Sequence, residues 1–227
     1  MKNTKTMNPR LVSLLQPNSQ DSQRYQRLRL AVENLPRLQA GVVVAVTSPS
    51  DGEGKTLTAI NLAGALAQNP MRKVLLMELD LRASRKSIKD YLGVKKWSPP
   101  GVVDSIVGNN EKWQQLTDYI PAFNLHLLTA GQHTQSPYEV LNAPQMGEMI
   151  NDARRNFDYV VLDTASVTLY PDTQLISKWV DKFIVLVSSG KTSKHTLEEC
   201  FNLMSPDKVM GIVFNECNDS GYERNGH

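Results

Sequence analysis

The sequence predicts an α/β protein with a doubly wound, mainly parallel sheet flanked by helices. Three observations predict it. Short β-branched apolar runs alternate with helical stretches along most of the 227 residues, the order that βαβ units produce. The first run, residues 41–56, GVVVAVTSPSDGEGKT, passes through a glycine-bearing loop directly into a helical segment. Two later runs end in acids, at the rim where parallel sheets bind ligands. At 41% hydrophobic residues the chain can build one sizeable core.

Residues 1–20 read as a flexible lead with an apolar patch at Leu11, Val12, Leu14 and Leu15. A single domain is expected over residues 21–215, followed by a polar tail over 216–227. In SQRYQRLRLAVENL, Tyr25, Leu28, Val32 and Leu35 share one helix face, with Arg24, Arg27 and Arg29 around it. A basic helix packed on the domain is the simpler reading; a contact between subunits is the other. Pro36 and Gly41 mark the entry to the first strand.

Val42 to Val46 with Thr47 form that strand, and the helix LTAINLAGALAQ places Leu57, Ile60, Gly64 and Ala67 on one side. Strand, loop and helix are the setting a phosphate-binding loop needs. Glycines let the backbone approach phosphate oxygens, and the free amides at a helix start face an anion. Lys55 can reach terminal phosphates, and the Thr56 hydroxyl can bind Mg²⁺. The spacing departs from G-x-x-x-x-G-K-[ST] at one position, where Pro49 replaces the first glycine. A solvated turn before a helix is the plain alternative.

Asn69 and Pro70 close the helix. Residues 73–81, KVLLMELDL, read as a second buried strand, with Glu78 and Asp80 pointing to one side and Arg82 following. A short helix is expected over 102–107 and a strand over 125–128, with His126 a core or edge residue. Residues 136–157 read as helix broken near Ala143 and Pro144. YVVLDT is a third buried strand that ends in Asp163, where a carboxylate can hold the shell of Mg²⁺. A helix from Asp172, a strand over 183–187, a helix over 191–204 and a strand over 209–214 complete the pattern. The crossovers are expected to be right-handed.

A net charge of +2 excludes a strong field for nucleic acid. Cys200 and Cys217 have no metal-ligand or CxxC spacing, so a reduced, cytoplasmic protein is expected. No apolar run approaches the ~20 residues that span a bilayer, and no signal peptide is evident. Work at a membrane would need a partner.

Taken together, these motifs resemble those of the bacterial tyrosine kinases of capsule and exopolysaccharide export, within the ParA/MinD class of deviant P-loop ATPases. The resemblance runs from about residue 23 to 215. A loop like PGEGKS appears as SDGEGKT; LLIDADLR appears as LLMELDLR; AGPxPPNPxELL appears as AGQHTQSPYEVL. FDYVIIDTPP appears as FDYVVLDTAS, and GVVLN as GIVFN.

The resemblance implies ATP and Mg²⁺ as cofactors. Nucleotide contacts would come from Asp51, Gly52, Glu53, Gly54, Lys55, Thr56 and Leu57, with Asn215 near the adenine. Thr56, Asp80 and Asp163 would hold the metal, and Lys55, Glu78, Asp80 and Arg82 would form the catalytic group. Glu78 stands where the pattern has Asp, one methylene further out. The tail carries only Tyr222 in place of a tyrosine cluster, and the E-x-x-R-x-x-R helix signature is incomplete. Ser50 stands where partitioning ATPases carry lysine. The implied function is transfer of the ATP γ-phosphoryl group to protein tyrosine. The implied partners are a membrane-embedded polysaccharide-export adaptor of the chain-length regulator type, a tyrosine substrate and further copies of the chain, but no nucleic acid. A nucleotide-dependent switch without tyrosine phosphorylation is the alternative, and a positioning ATPase a third.

Overall fold

The structure is a computed structural model that describes residues 7–36, 41–82, 87–93, 100–108 and 112–216. Two helices, α1 (Val12–Leu15) and α2 (Gln20–Glu33), precede β1 (Val42–Thr47) and α3 (Lys55–Ala67). Then follow β2 (Val74–Glu78), α4 (Ile88–Tyr91), α5 (Val102–Val107), β3 (Asp118–Ile120), β4 (Leu125–Leu128), α6 (Pro137–Asn142) and α7 (Pro144–Asn156). The chain ends through β5 (Tyr159–Asp163), α8 (Asp172–Ile176), β6 (Lys182–Ser188), α9 (Lys194–Asn202) and β7 (Val209–Asn215).

Among the described residues the strands form one sheet in the order β3-β4-β2-β5-β1-β6-β7. All pairs are parallel except β3 with β4. β1 is buried throughout and apolar up to Thr47 because both of its faces are covered. Val43 and Ala45 enter a core shared with α5 to α9, while Val42, Val44 and Val46 enter one shared with α1 to α4. Pro144 opens α7 at its first position, where a missing amide costs nothing, and so separates α6 from α7 as the sequence predicts.

Two expectations need correction. The lead does not stay apart from residue 7 onward. Leu11 is fully buried, and Asn61 of α3 accepts from the Ser13 amide at 2.9 Å and donates to the Arg10 carbonyl at 2.9 Å. Gly64 lets Leu14 lie directly on α3. The second correction concerns β2, which stops at Glu78 rather than running to residue 81. The basic helix α2 packs on the domain: Val32 is buried, and Arg29 donates to the Ala65 carbonyl at 2.9 Å. Cys200 is buried on α9, whereas Cys217, Tyr222 and the rest of the tail from residue 217 lie outside the described residues.

Candidate functional site

The loop between β1 and α3 is held from three sides. Gly54 has φ of +93°, a conformation that L side chains rarely adopt. A Cβ there would collide with the side-chain amide of Asn215. Asn215, at the end of β7, donates to the Glu53 carbonyl at 2.9 Å. The Glu53 carboxylate accepts from the Ser50 amide at 3.2 Å and from the Thr192 hydroxyl at 2.9 Å. Burial pushes the Glu53 carboxyl above its ordinary range, against those hydrogen bonds. Asn215 thus meets the loop backbone itself.

Lys55 opens α3 and is only 5% exposed. Its Nζ lies 3.5 Å from Asp51 Oδ1, which also accepts from the Ser166 hydroxyl at 2.6 Å. Thr56 donates to Asp163 at the end of β5. Asp163 is 1% exposed, and its Oδ1 has no hydrogen-bond partner. Burial pushes its carboxyl up to about 8, and the nearby Glu78 and Asp80 add to the rise while Thr56 and Lys55 oppose it.

Glu78 pairs in register with Asp163 across β2 and β5. It is also buried, but both of its oxygens are occupied: the Ile88 amide donates at 2.9 Å and the Ala130 amide at 3.0 Å. Burial raises its carboxyl above the ordinary range, the two amides pull it back, and Asp80 adds repulsion. Glu78 therefore ties the end of β2 to the start of α4 and to the segment after β4. Asp80 lies beyond the strand, so the two acids part in function although both border the same cavity. That cavity, about 360 Å³, is lined by Thr56, Glu78, Asp80, Arg82, His133 and Asp163, among others.

Arg82 is engaged elsewhere. Its guanidinium makes two bonds to the buried Asp172, at 2.7 and 3.2 Å, and stacks 3.7 Å above the Tyr170 ring. It lines the cavity from within that ion pair. A second cavity, about 190 Å³, lies at the amino ends of the strands around Arg154 and Lys208. Arg154 bonds the Gly41 carbonyl at 3.1 Å and Asp181 at 2.6 Å, and Lys208 bonds the Val180 carbonyl at 2.7 Å, so these two cations brace the fold.

Mg²⁺ takes one or two carboxylates and completes its shell with water and phosphate oxygens. No cage of three or more His, Cys, Asp or Glu side chains exists among the described residues. A buried carboxylate with one partnerless oxygen, beside a hydroxyl on a helix start, fits such a hard cation.

Several residues here have no site role in the sequence reading: Ser166, Asp172, Thr192, and the amides of Ile88 and Ala130. Two signals were available. Asp172 starts a helix and could cap or pair, and Ser166 stands where the quoted pattern has proline.

A family model described as the CobQ/CobB/MinD/ParA nucleotide binding domain matches residues 44–225. The chain is 28% identical over 211 residues to the tyrosine-protein kinase YwqD of Bacillus subtilis (strain 168), covering 92% of this chain and 86% of that one. It is 29% identical over 183 residues to the tyrosine-protein kinase CpsD of Streptococcus agalactiae serotype III, covering 78% and 75%. The kinase domain of VpsO superposes with a TM-score of 0.71 at 28% identity, covering 87% of this chain and 98% of that one.

Proposed function

The chain belongs to the CobQ/CobB/MinD/ParA nucleotide-binding domain family, and on that premise we propose that it binds ATP with Mg²⁺ and phosphorylates protein tyrosine. The observation that carries the cofactor assignment is Asp163, a buried carboxylate with a partnerless oxygen beside Thr56 and Lys55. The similarity to proteins named tyrosine-protein kinases supports the acceptor. The amides of residues 51–57 surround the phosphates, and Lys55 meets the terminal ones. Thr56 and Asp163 hold the metal, with Asp80 beside them. Asn215 borders the nucleotide through its hold on the loop. When bound, Mg²⁺ neutralises charge on the β- and γ-phosphates.

In the transfer, the tyrosine oxygen bonds to the γ-phosphorus as the bond to the β–γ bridging oxygen breaks and ADP leaves. The tyrosine proton passes to a carboxylate facing the cavity. Asp80 suits that role, and Glu78, with both oxygens on backbone amides, positions the strand end. The same engagement of Glu78 favours a second reading, a nucleotide-dependent switch that transfers nothing to tyrosine.

No helix among the described residues is long and apolar enough to cross a membrane. We place the protein in the cytoplasm, docked on a membrane-embedded polysaccharide-export adaptor and able to associate with further copies. The test incubates the full chain with γ-labelled ATP, Mg²⁺ and a glutamate–tyrosine copolymer, beside Lys55→Met. Phosphotyrosine that depends on Lys55 is expected. ATP binding without phosphotyrosine moves the protein to the switch reading, and no ATP binding overturns both.

A further inference from the structure

Lys55 is buried too deeply to carry an uncompensated charge. The carboxylate in contact with it is Asp51, one helical turn earlier, with Asp163 and Glu53 acting on the same ammonium at longer range, yet the 3.5 Å separation is long for an ammonium–carboxylate pair. The firmer hold on Asp51 comes from the other side. Ser166, fully buried after β5, donates to Asp51 Oδ1 at 2.6 Å, a charge-assisted length. Asp51 and Ser166 both stand where the quoted PGEGKS and DTPP patterns carry proline. Two separate departures from those patterns therefore meet in one hydrogen bond.

We propose that Asp51, anchored by Ser166, is a displaceable counter-ion that nucleotide must dislodge from Lys55 before its terminal phosphates can bind there. The inference rests on the nucleotide-binding reading above. Without nucleotide, Asp51 is the carboxylate in contact with Lys55. The terminal phosphates offer several charged oxygens to the same ammonium and compete with the carboxylate. ATP, with its γ-phosphate, competes better than ADP. Displacement also takes the acceptor from a buried hydroxyl, so the nucleotide state reaches the segment after β5. That segment is already fastened to the loop by the Val167 amide on the Ser48 carbonyl at 2.9 Å and the Thr168 hydroxyl on the Pro49 carbonyl at 2.7 Å.

The test is calorimetric titration of the full chain with ATP·Mg²⁺ and ADP·Mg²⁺, comparing wild type, Ser166→Ala and Asp51→Asn, with melting temperatures to verify folding. Ser166→Ala keeps the carboxylate and removes its anchor; ATP binding is expected to tighten about tenfold, from loss of one charge-assisted hydrogen bond in the competing state. Asp51→Asn removes the competitor and should tighten ATP about tenfold. ADP should gain clearly less in both variants, a split that a merely structural role would not produce. Unchanged ATP affinity in Ser166→Ala overturns the proposal even if Asp51→Asn binds more tightly, because simple repulsion by the carboxylate would then suffice. Weaker ATP binding in both variants overturns it as well. A wild type that binds neither nucleotide overturns the nucleotide reading, and the counter-ion falls with it.

Discussion

Glu78 and Asp163 face each other across two paired strands, both buried and both with carboxyls raised by burial. Their surroundings differ in one respect. Glu78 has a backbone amide on each oxygen, whereas Asp163 has one oxygen with no partner. A buried acid whose hydrogen bonds are complete holds architecture in place, and its removal is felt as lost stability. On the proposed reading, a buried acid left incomplete at the cavity is completed by a ligand, and its removal should be felt as lost binding. Burial and a shifted carboxyl alone do not separate these roles; hydrogen bonds do so only together with position, since Glu53 also has a partnerless oxygen but does not line the cavity.

The sharpest way to break the comparison is Asp163→Asn. ATP·Mg²⁺ affinity should fall on the order of 10²-fold, as expected when a metal site loses a key group. The metal-free chain should instead become more stable near neutral pH. The folded carboxyl sits at about 8 against an ordinary 3.8, so the folded chain holds a proton that the unfolded chain releases. That contribution to stability is complete below the unfolded value and is lost as pH rises through the folded one. Asparagine, always neutral, should flatten the decline. Urea unfolding in EDTA at pH 5 and pH 8 measures it, and an equal fall with pH in both proteins would remove Asp163 as its cause.

Glu78→Ala tests the other half. It leaves the Ile88 and Ala130 amides without acceptors, at roughly 1–3 kcal/mol for each buried group left unsatisfied. ATP affinity in the variant that remains folded should change far less than in Asp163→Asn. Full stability together with lost phosphorylation would make Glu78 a chemical group after all. Arg82→Ala comes next. It strips the partner from Asp172, which is 1% exposed, and about 2 kcal/mol of stability should go, less than for a fully buried pair because Arg82 reaches solvent. An Arg82 that acts on phosphate would instead cost activity and leave the urea midpoint in place. The smallest effect is expected from Asn215→Ala. Loss of one bond to the Glu53 carbonyl should cost about 1 kcal/mol and weaken ATP a few-fold, read by the same titration.

Much of this was legible from residue order alone. β1, β5 and β6 are apolar runs buried on both faces, and such runs leave an unmistakable trace. The loop motif and the acids at strand ends located the cavity. Features that depend on distant pairings were not legible. The patch Leu11, Val12, Leu14 and Leu15 is visible in the lead, but what it packs on is not, until Asn61 and Gly64 receive that segment. β3 has three residues, too few for a period, and exists because β4 offers it an edge. Glu78 and Asp80 are spaced for one strand face, yet the strand stops between them, and amides ten and fifty-two residues away then decide what Glu78 does. The pairing of Arg82 could not be read from the sequence because its acceptor lies ninety residues along the chain.

The strand order also bears on how the protein is made. β1 is flanked by β5 and β6, and its first residue pairs with Tyr159, more than a hundred residues later. The nucleotide loop takes its last brace from Asn215, further still. At about 5–20 residues per second of synthesis, the strand Val42–Thr47 waits on the order of ten seconds for both neighbours to leave the ribosome. Through that interval an aliphatic segment with open edges is exposed, a natural client for a chaperone. Nascent chains cut short before β6 should accumulate as aggregates rather than as smaller folded pieces.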